Sequence, residues 1–161
     1  MPNQPLTFEI LFEDESERLL RVLCVITGSR SNAEDIAQEA FTRILERWNV
    51  VAAMENPAGY LYRTAMNLFR SDYRRAGRAL RRLVSMMSEP DDVFAPVEDR
   101  DQAAHALAVL TPRQRAALVL TEALGYSGEE TGELLGIKAS TVYALTHQAR
   151  AALADTRETI A

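Results

Sequence analysis

Apolar side chains recur at helical spacing along nearly the whole chain, with no stretch of strand-like alternation and no internal repeat. Phe8, Leu11, Phe12, Leu19, Leu23 and Ile26 mark a first helix that stops at Gly28. Ser31 and Glu34 are spaced as a capping box for a second helix, whose apolar side carries Ile36, Ala40, Phe41, Ile44, Leu45 and Trp48. Residues 49–55 read as a loop. Asn56-Pro57 then starts a third helix that runs to about residue 82, roughly 37 Å at 1.5 Å per residue.

Residues 84–103 break the periodicity with two prolines and an acid cluster, and are expected to be a flexible acidic linker. Fully stretched at 3.3–3.6 Å per residue it would span roughly 65–70 Å, enough to let two domains sit far apart. Beyond it, Thr111-Pro112-Arg113-Gln114 and Ser127 with Glu130 form two further capping boxes. Gly136 ends the second of these helices and another begins near Ser140, which is a helix-turn-helix pattern. The expected fold class is therefore all-α: two small helical domains, residues 1–83 and 104–161, joined by the linker 84–103.

Composition narrows the class. The chain has 161 residues, 47% hydrophobic and 25% charged, which is a globular mixture long enough to bury a core. No apolar run reaches the roughly 20 residues needed to span a bilayer, and the first 20 residues lack the basic-then-apolar order of a signal peptide. A cytoplasmic protein without membrane insertion is expected. The single cysteine, Cys24, excludes a disulfide framework and any multi-cysteine metal site, and it reads as a small core hydrophobe. His105 and His147 have no partner at metal-ligand spacing, so no metal is expected. There is neither a glycine-rich phosphate loop nor a nucleophile elbow; no cofactor and no enzymatic activity are expected.

The net charge of −5 conceals a strong segregation. Residues 61–82 hold seven Arg against one acid, Asp72, a net of +6, whereas residues 83–105 hold one Arg against six acids, a net of −5. On a helical wheel Arg70, Arg74 and Arg81 fall within about 20° of Arg63, with Arg78 about 60° away and Tyr60 and Asn67 on the same side. Leu61, Ala65, Leu68, Ala76, Ala79 and Leu83 cluster opposite, and Asp72 falls on that apolar side, where it is expected to pair with an Arg. A guanidinium rail carrying an aromatic and an amide suits a phosphate backbone with unpaired bases stacking beside it. Glu34, Asp35 and Glu39 share one helix and read as a charged docking surface rather than a catalytic carboxylate pair.

Three stretches in this order carry a resemblance to a known family: AEDIAQEAFTRILERW (33–48), NPAGYLYRTAMNLFRSDYRR (56–75), and LTPRQRAALVL followed by YSGEETGELLGIKASTVYALTHQARAAL (126–153). From about residue 8 to 154 the chain resembles an extracytoplasmic-function sigma factor of bacterial RNA polymerase, in the sigma-70 family. That resemblance implies a promoter-specificity subunit. Asp35, Gln38 and Glu39 would dock on the clamp helices of the polymerase β′ subunit, and the second domain would meet the β flap. Trp48, Asn49, Tyr60, Arg63, Asn67, Arg70, Arg74, Arg75 and Arg78 would handle the minus-ten element, with the loop 49–56 capturing a flipped base. Lys138, Ser140, Thr141, Tyr143, Ala144, His147 and Arg150 would read the minus-35 element. An anti-sigma factor is a further partner of this kind of protein.

The chain departs from the family pattern in two places. Tyr60 stands where relatives usually carry Trp. Tyr143, Leu145 and Gln148 stand where the recognition helix normally carries Lys or Arg, leaving Lys138 and Arg150 as its flanking permanent cations. Two other readings stay open on the sequence: a sigma-like interaction protein that binds polymerase or an antagonist and reads minus-35 DNA poorly, and an ordinary helix-turn-helix repressor.

Overall fold

The computed structural model describes residues 5–86 and 107–160, and every regular element among them is helical. The helices are α1 (Phe8–Thr27), α2 (Arg30–Glu46), α3 (Trp48–Val51), α4 (Pro57–Met86), α5 (Pro112–Leu118), α6 (Gly128–Leu135) and α7 (Ala139–Ile160), with a 3₁₀ turn at Leu107–Val109. The expected all-helical class holds. No described helix is long and apolar enough to cross a membrane.

Local chemistry sets most boundaries. Thr7 caps α1, its hydroxyl accepting from the Ile10 N–H at 3.4 Å, and Gly28 ends the helix in the left-handed region at φ 68°. The α1–α2 connection is tighter than the sequence suggests: Ser29, not Ser31, is the cap of α2, accepting from the Asn32 N–H at 3.3 Å. Ser31 lies inside the helix, and Glu34 accepts from Arg30 at 2.8 Å instead of closing a capping box. Asn56 caps α4 through Oδ1, which accepts from the Gly59 N–H at 2.8 Å. Thr111 with Gln114 and Ser127 with Glu130 form the two expected capping boxes in full. Gly136, at φ 64°, closes α6 as expected.

Four further sequence expectations need correction. Residues 48–51 are one helical turn rather than loop, held by the fully buried Val51. Helix α4 runs to Met86, so three residues assigned to the linker are helical; residues 87–103 lie outside the described residues. Its packed side carries Leu61, Tyr62, Ala65, Met66 and Phe69, while Ala76 and Ala79 are exposed among the described residues. Asp72 is accordingly exposed rather than on an apolar side, and lies 3.8 Å from Arg75.

Helices α1, α2 and α4 pack on one another, as do α5, α6 and α7. The two groups also meet: α5 lies on α1, α6 lies on α4, and one continuous apolar cluster contains residues from both. The linker's sequence would permit wide separation, but the structure shows the groups in contact. Inside α6, Thr131 is fully buried and its hydroxyl has no hydrogen-bond partner. A buried hydroxyl without a partner costs on the order of 1–3 kcal/mol. Thr131→Val keeps the shape and removes that cost, so its melting temperature should rise in calorimetry by about 2–4 °C for each kcal/mol recovered; a fall would show that the hydroxyl is satisfied in solution.

Candidate nucleic-acid interface

Because α2 packs along α4, the end of the one meets the beginning of the other. Arg47, at the end of α2, donates from Nη1 to the Tyr60 hydroxyl at 3.2 Å. Two to three turns further along α4, Arg70 donates from Nη1 to Asn67 Oδ1 at 3.3 Å. Arg43, Glu46, Arg47, Tyr60, Thr64 and Asn67 line a cleft of about 200 Å³. A guanidinium, an aromatic ring and an amide therefore converge on one small space, a set able to hold a phosphate, stack a base and hydrogen-bond its edge.

Beyond the cleft the rail continues. Arg63, Arg74, Arg75 and Arg78 are exposed, and Arg70 is half-buried. Burial lowers the Arg70 pKa, and the nearby Arg74 and Arg113 guanidiniums push it in the same direction. Like charges crowded this way repel one another, and a polyanion relieves the repulsion. Trp48 does not join this group: its ring packs edge-on against Phe8, 5.8 Å between centroids, in a cluster with Phe12 and Phe41. Asn49 is exposed on α3.

On α2, Asp35, Gln38 and Glu39 are all exposed, and Glu39 pairs with Arg43 at 2.8 Å one turn on. The apolar side of the same helix, Ile36, Ala37, Ala40, Phe41 and Ile44, is buried. The acidic face is thus presented by a well-anchored helix.

On α7, Val142 and Ala149 are buried, and Ser140, Thr141, Tyr143, Ala144, His147 and Arg150 are exposed, as is Lys138 just before the helix. Arg150 pairs with Glu122, which cancels one of the two flanking cations. Tyr143 is 55% exposed, yet its ring lies across Gly128, where a Cβ would come within 2.6 Å of it. Glycine at the start of α6 is the condition for Tyr143 to sit there.

Sequence reasoning missed four arginines. Arg43 and Arg47 sit one turn apart on α2, a spacing that marks a shared face but not which helix that face meets. Arg113 lies with Cζ 5.9 Å from the Tyr73 ring centroid, and Arg115 is buried. Cys24 is partly buried as expected, and burial pushes its thiol pKa up.

Family models match both halves of the chain: sigma-70 region 2 over residues 11–79 and sigma-70 region 4 over residues 100–153. The chain is 32% identical to the ECF RNA polymerase sigma factor SigE of Mycolicibacterium smegmatis, over 92% of this chain and 61% of that protein. It is also 32% identical to the RNA polymerase sigma-E factor of Streptomyces antibioticus, over 96% of this chain and 86% of that one. The chain belongs to the extracytoplasmic-function sigma factors of the sigma-70 family. Among solved structures, the fold matches the sigma factor RpoE of Bartonella quintana, seen in complex with the anti-sigma factor NepR, with TM-score 0.69 and 20% identity over 94% of this chain and 96% of that one. In this sigma factor, α1–α4 fall largely within the region 2 match, and α5–α7 within the region 4 match apart from the end of α7.

Proposed function

We propose that this sigma factor is the promoter-specificity subunit of a bacterial RNA polymerase, acting in the cytoplasm on a restricted set of promoters. The observation that carries the reading is the pairing of two opposite surfaces on two packed helices: the exposed acidic face of α2 and the Tyr60–Asn67–arginine rail of α4. Asp35, Gln38 and Glu39 dock on the β′ clamp helices. Tyr60, Arg63, Asn67, Arg70, Arg74, Arg75 and Arg78 hold the opened minus-ten strand, with the Arg47-supported cleft taking a base. Residues 1–83 form the docking and melting domain, and residues 104–161 the helix-turn-helix domain that meets the β flap and the minus-35 element. The repressor reading leaves the acidic face of α2 without a task. Run-off transcription with purified core enzyme on genomic fragments tests the proposal: promoter-dependent product is expected, and its absence would overturn it.

The α7 face makes a separate prediction. With Arg150 spent on Glu122, and Glu129, Glu130 and Glu133 on the adjacent α6, the electrostatic part of duplex affinity is small. Minus-35 contact is then effective only inside the holoenzyme, where tethering raises the local concentration. Scrambling the minus-35 element, or replacing Tyr143 and His147 with Ala, should each cut transcription several-fold. Full activity in both would remove minus-35 reading from this face.

A further inference from the structure

The cleft between α2 and α4 contains a group that phosphate binding does not explain. Arg43, Glu46 and Arg47 lie in the last turn of α2 and at its cap, and Tyr60, Thr64 and Asn67 follow one another at about one-turn spacing on α4. Two arginines line the cleft with Glu46, yet it pairs with neither. Arg43 is held by Glu39 at 2.8 Å, and Arg47 donates to the Tyr60 hydroxyl at 3.2 Å. Glu46 is exposed and forms no ion pair or side-chain hydrogen bond among the described residues. A carboxylate here repels a phosphate and weakens backbone binding, so its use lies with the base. The other free groups are donors. Asn67 Oδ1 already accepts from Arg70 at 3.3 Å, which leaves the Asn67 amide N–H groups for a ligand. Arg47 spends one N–H on Tyr60 and keeps the rest of its fork.

Glu46 and Arg47 are consecutive, and consecutive side chains do not face each other, so they reach a bound base from different sides. That requirement separates the four bases. Guanine carries two acceptors, O6 and N7, along its major-groove edge and two donors, N1–H and N2–H₂, side by side on its pairing edge. Cytosine and adenine set a donor beside an acceptor on one edge. Thymine flanks its single N–H with two carbonyl oxygens, which a carboxylate repels. We propose that the cleft selects an unpaired guanine, with Arg47 and Asn67 donating to O6 and N7 and Glu46 accepting from N1–H and N2–H₂. The inference rests on the minus-ten role proposed for the cleft and names the base it takes. Glu46 is then the specificity-determining residue: its loss broadens the choice of base without abolishing binding.

The test uses the reconstituted holoenzyme, measured against core enzyme alone, and labelled short oligothymidylates that carry one central dT, dG, dC, dA or deoxyinosine. The thymidine background lets each probe slide until the odd base occupies the cleft. Inosine keeps O6, N7 and N1–H and lacks only the N2 amino group. The dG probe should bind about fivefold or more tighter than the all-dT probe, with deoxyinosine between them and dC and dA near dT. Glu46→Ala should bind dG and deoxyinosine equally and bind the all-dT probe more tightly than wild type does. Glu13→Ala changes the net charge equally at an exposed position on α1 outside the cleft, and should keep the wild-type order. Equal binding of dG and dT by wild type, a preference for another base, or a dG preference that Glu46→Ala leaves intact would overturn guanine selection. Arg74→Ala reads the minus-ten role separately, because Arg74 is exposed on the rail and does not line the cleft. It should weaken every probe alike. If it does so while guanine selection fails, only the choice of base falls; if it binds every probe like wild type, or no probe binds the holoenzyme, the minus-ten role falls and guanine selection with it.

Discussion

Reversing charge at both Asp35 and Glu39, as Asp35→Arg with Glu39→Arg, is expected to lower affinity for core RNA polymerase by at least 100-fold while leaving a folded chain. Loss of a charged contact at an interface costs about 1–3 kcal/mol by truncation, and reversal adds repulsion to each loss. The cost to the fold is much smaller. Both side chains are exposed, and the pair that breaks is the i,i+4 contact of Glu39 with Arg43, the kind of contact worth about 0.3–0.5 kcal/mol. Titration of labelled core enzyme, beside a melting curve, separates the two quantities. Unchanged core affinity in the double variant would remove the docking assignment from α2.

The contrast between local and tertiary signals explains what the sequence revealed. The capping boxes Thr111–Gln114 and Ser127–Glu130 were legible because every participating atom lies within four residues. The same reasoning placed the α2 cap two residues late. With Gly28 turning the chain in the left-handed region, the extended Ser29 at φ −138° is already in position to cap, and Arg30 draws Glu34 away from the box. On α4 the wheel separated a charged side from an apolar one, but periodicity reports a face and not whether anything covers it. Ala76 and Ala79 are exposed because, among the described residues, no helix covers them. The rail itself was legible from composition. Its attachments were not: Arg47 meets Tyr60 across 13 residues and Arg115 meets Ile26 across 89. One trace of Arg115 was present in the sequence, since it directly precedes Ala116 and Ala117 and sits five residues before Leu120, the inner face of α5 and its continuation. A cation in that company has to find carbonyls or an acid within the protein.

The minus-ten cleft should divide its work between charge and stacking, and salt dependence separates the two. In the holoenzyme, replacing Arg70 and Arg74 with Ala removes two phosphate contacts, so the slope of log affinity against log salt should flatten by about 0.7 for each. Tyr60→Ala removes a stacking surface worth about 1–3 kcal/mol, a loss of roughly 5- to 150-fold, with the salt slope unchanged. The Arg47–Tyr60 hydrogen bond adds a finer distinction. Tyr60→Phe keeps the ring and loses the hydroxyl that accepts from Arg47, so it should retain most of the affinity and lose only the ring's fixed orientation. Binding of a single-stranded minus-ten oligonucleotide across a salt series measures all three variants together. If Tyr60→Ala flattens the slope as the arginine variants do, the ring serves to position a phosphate-binding arginine, and base stacking belongs elsewhere in the cleft.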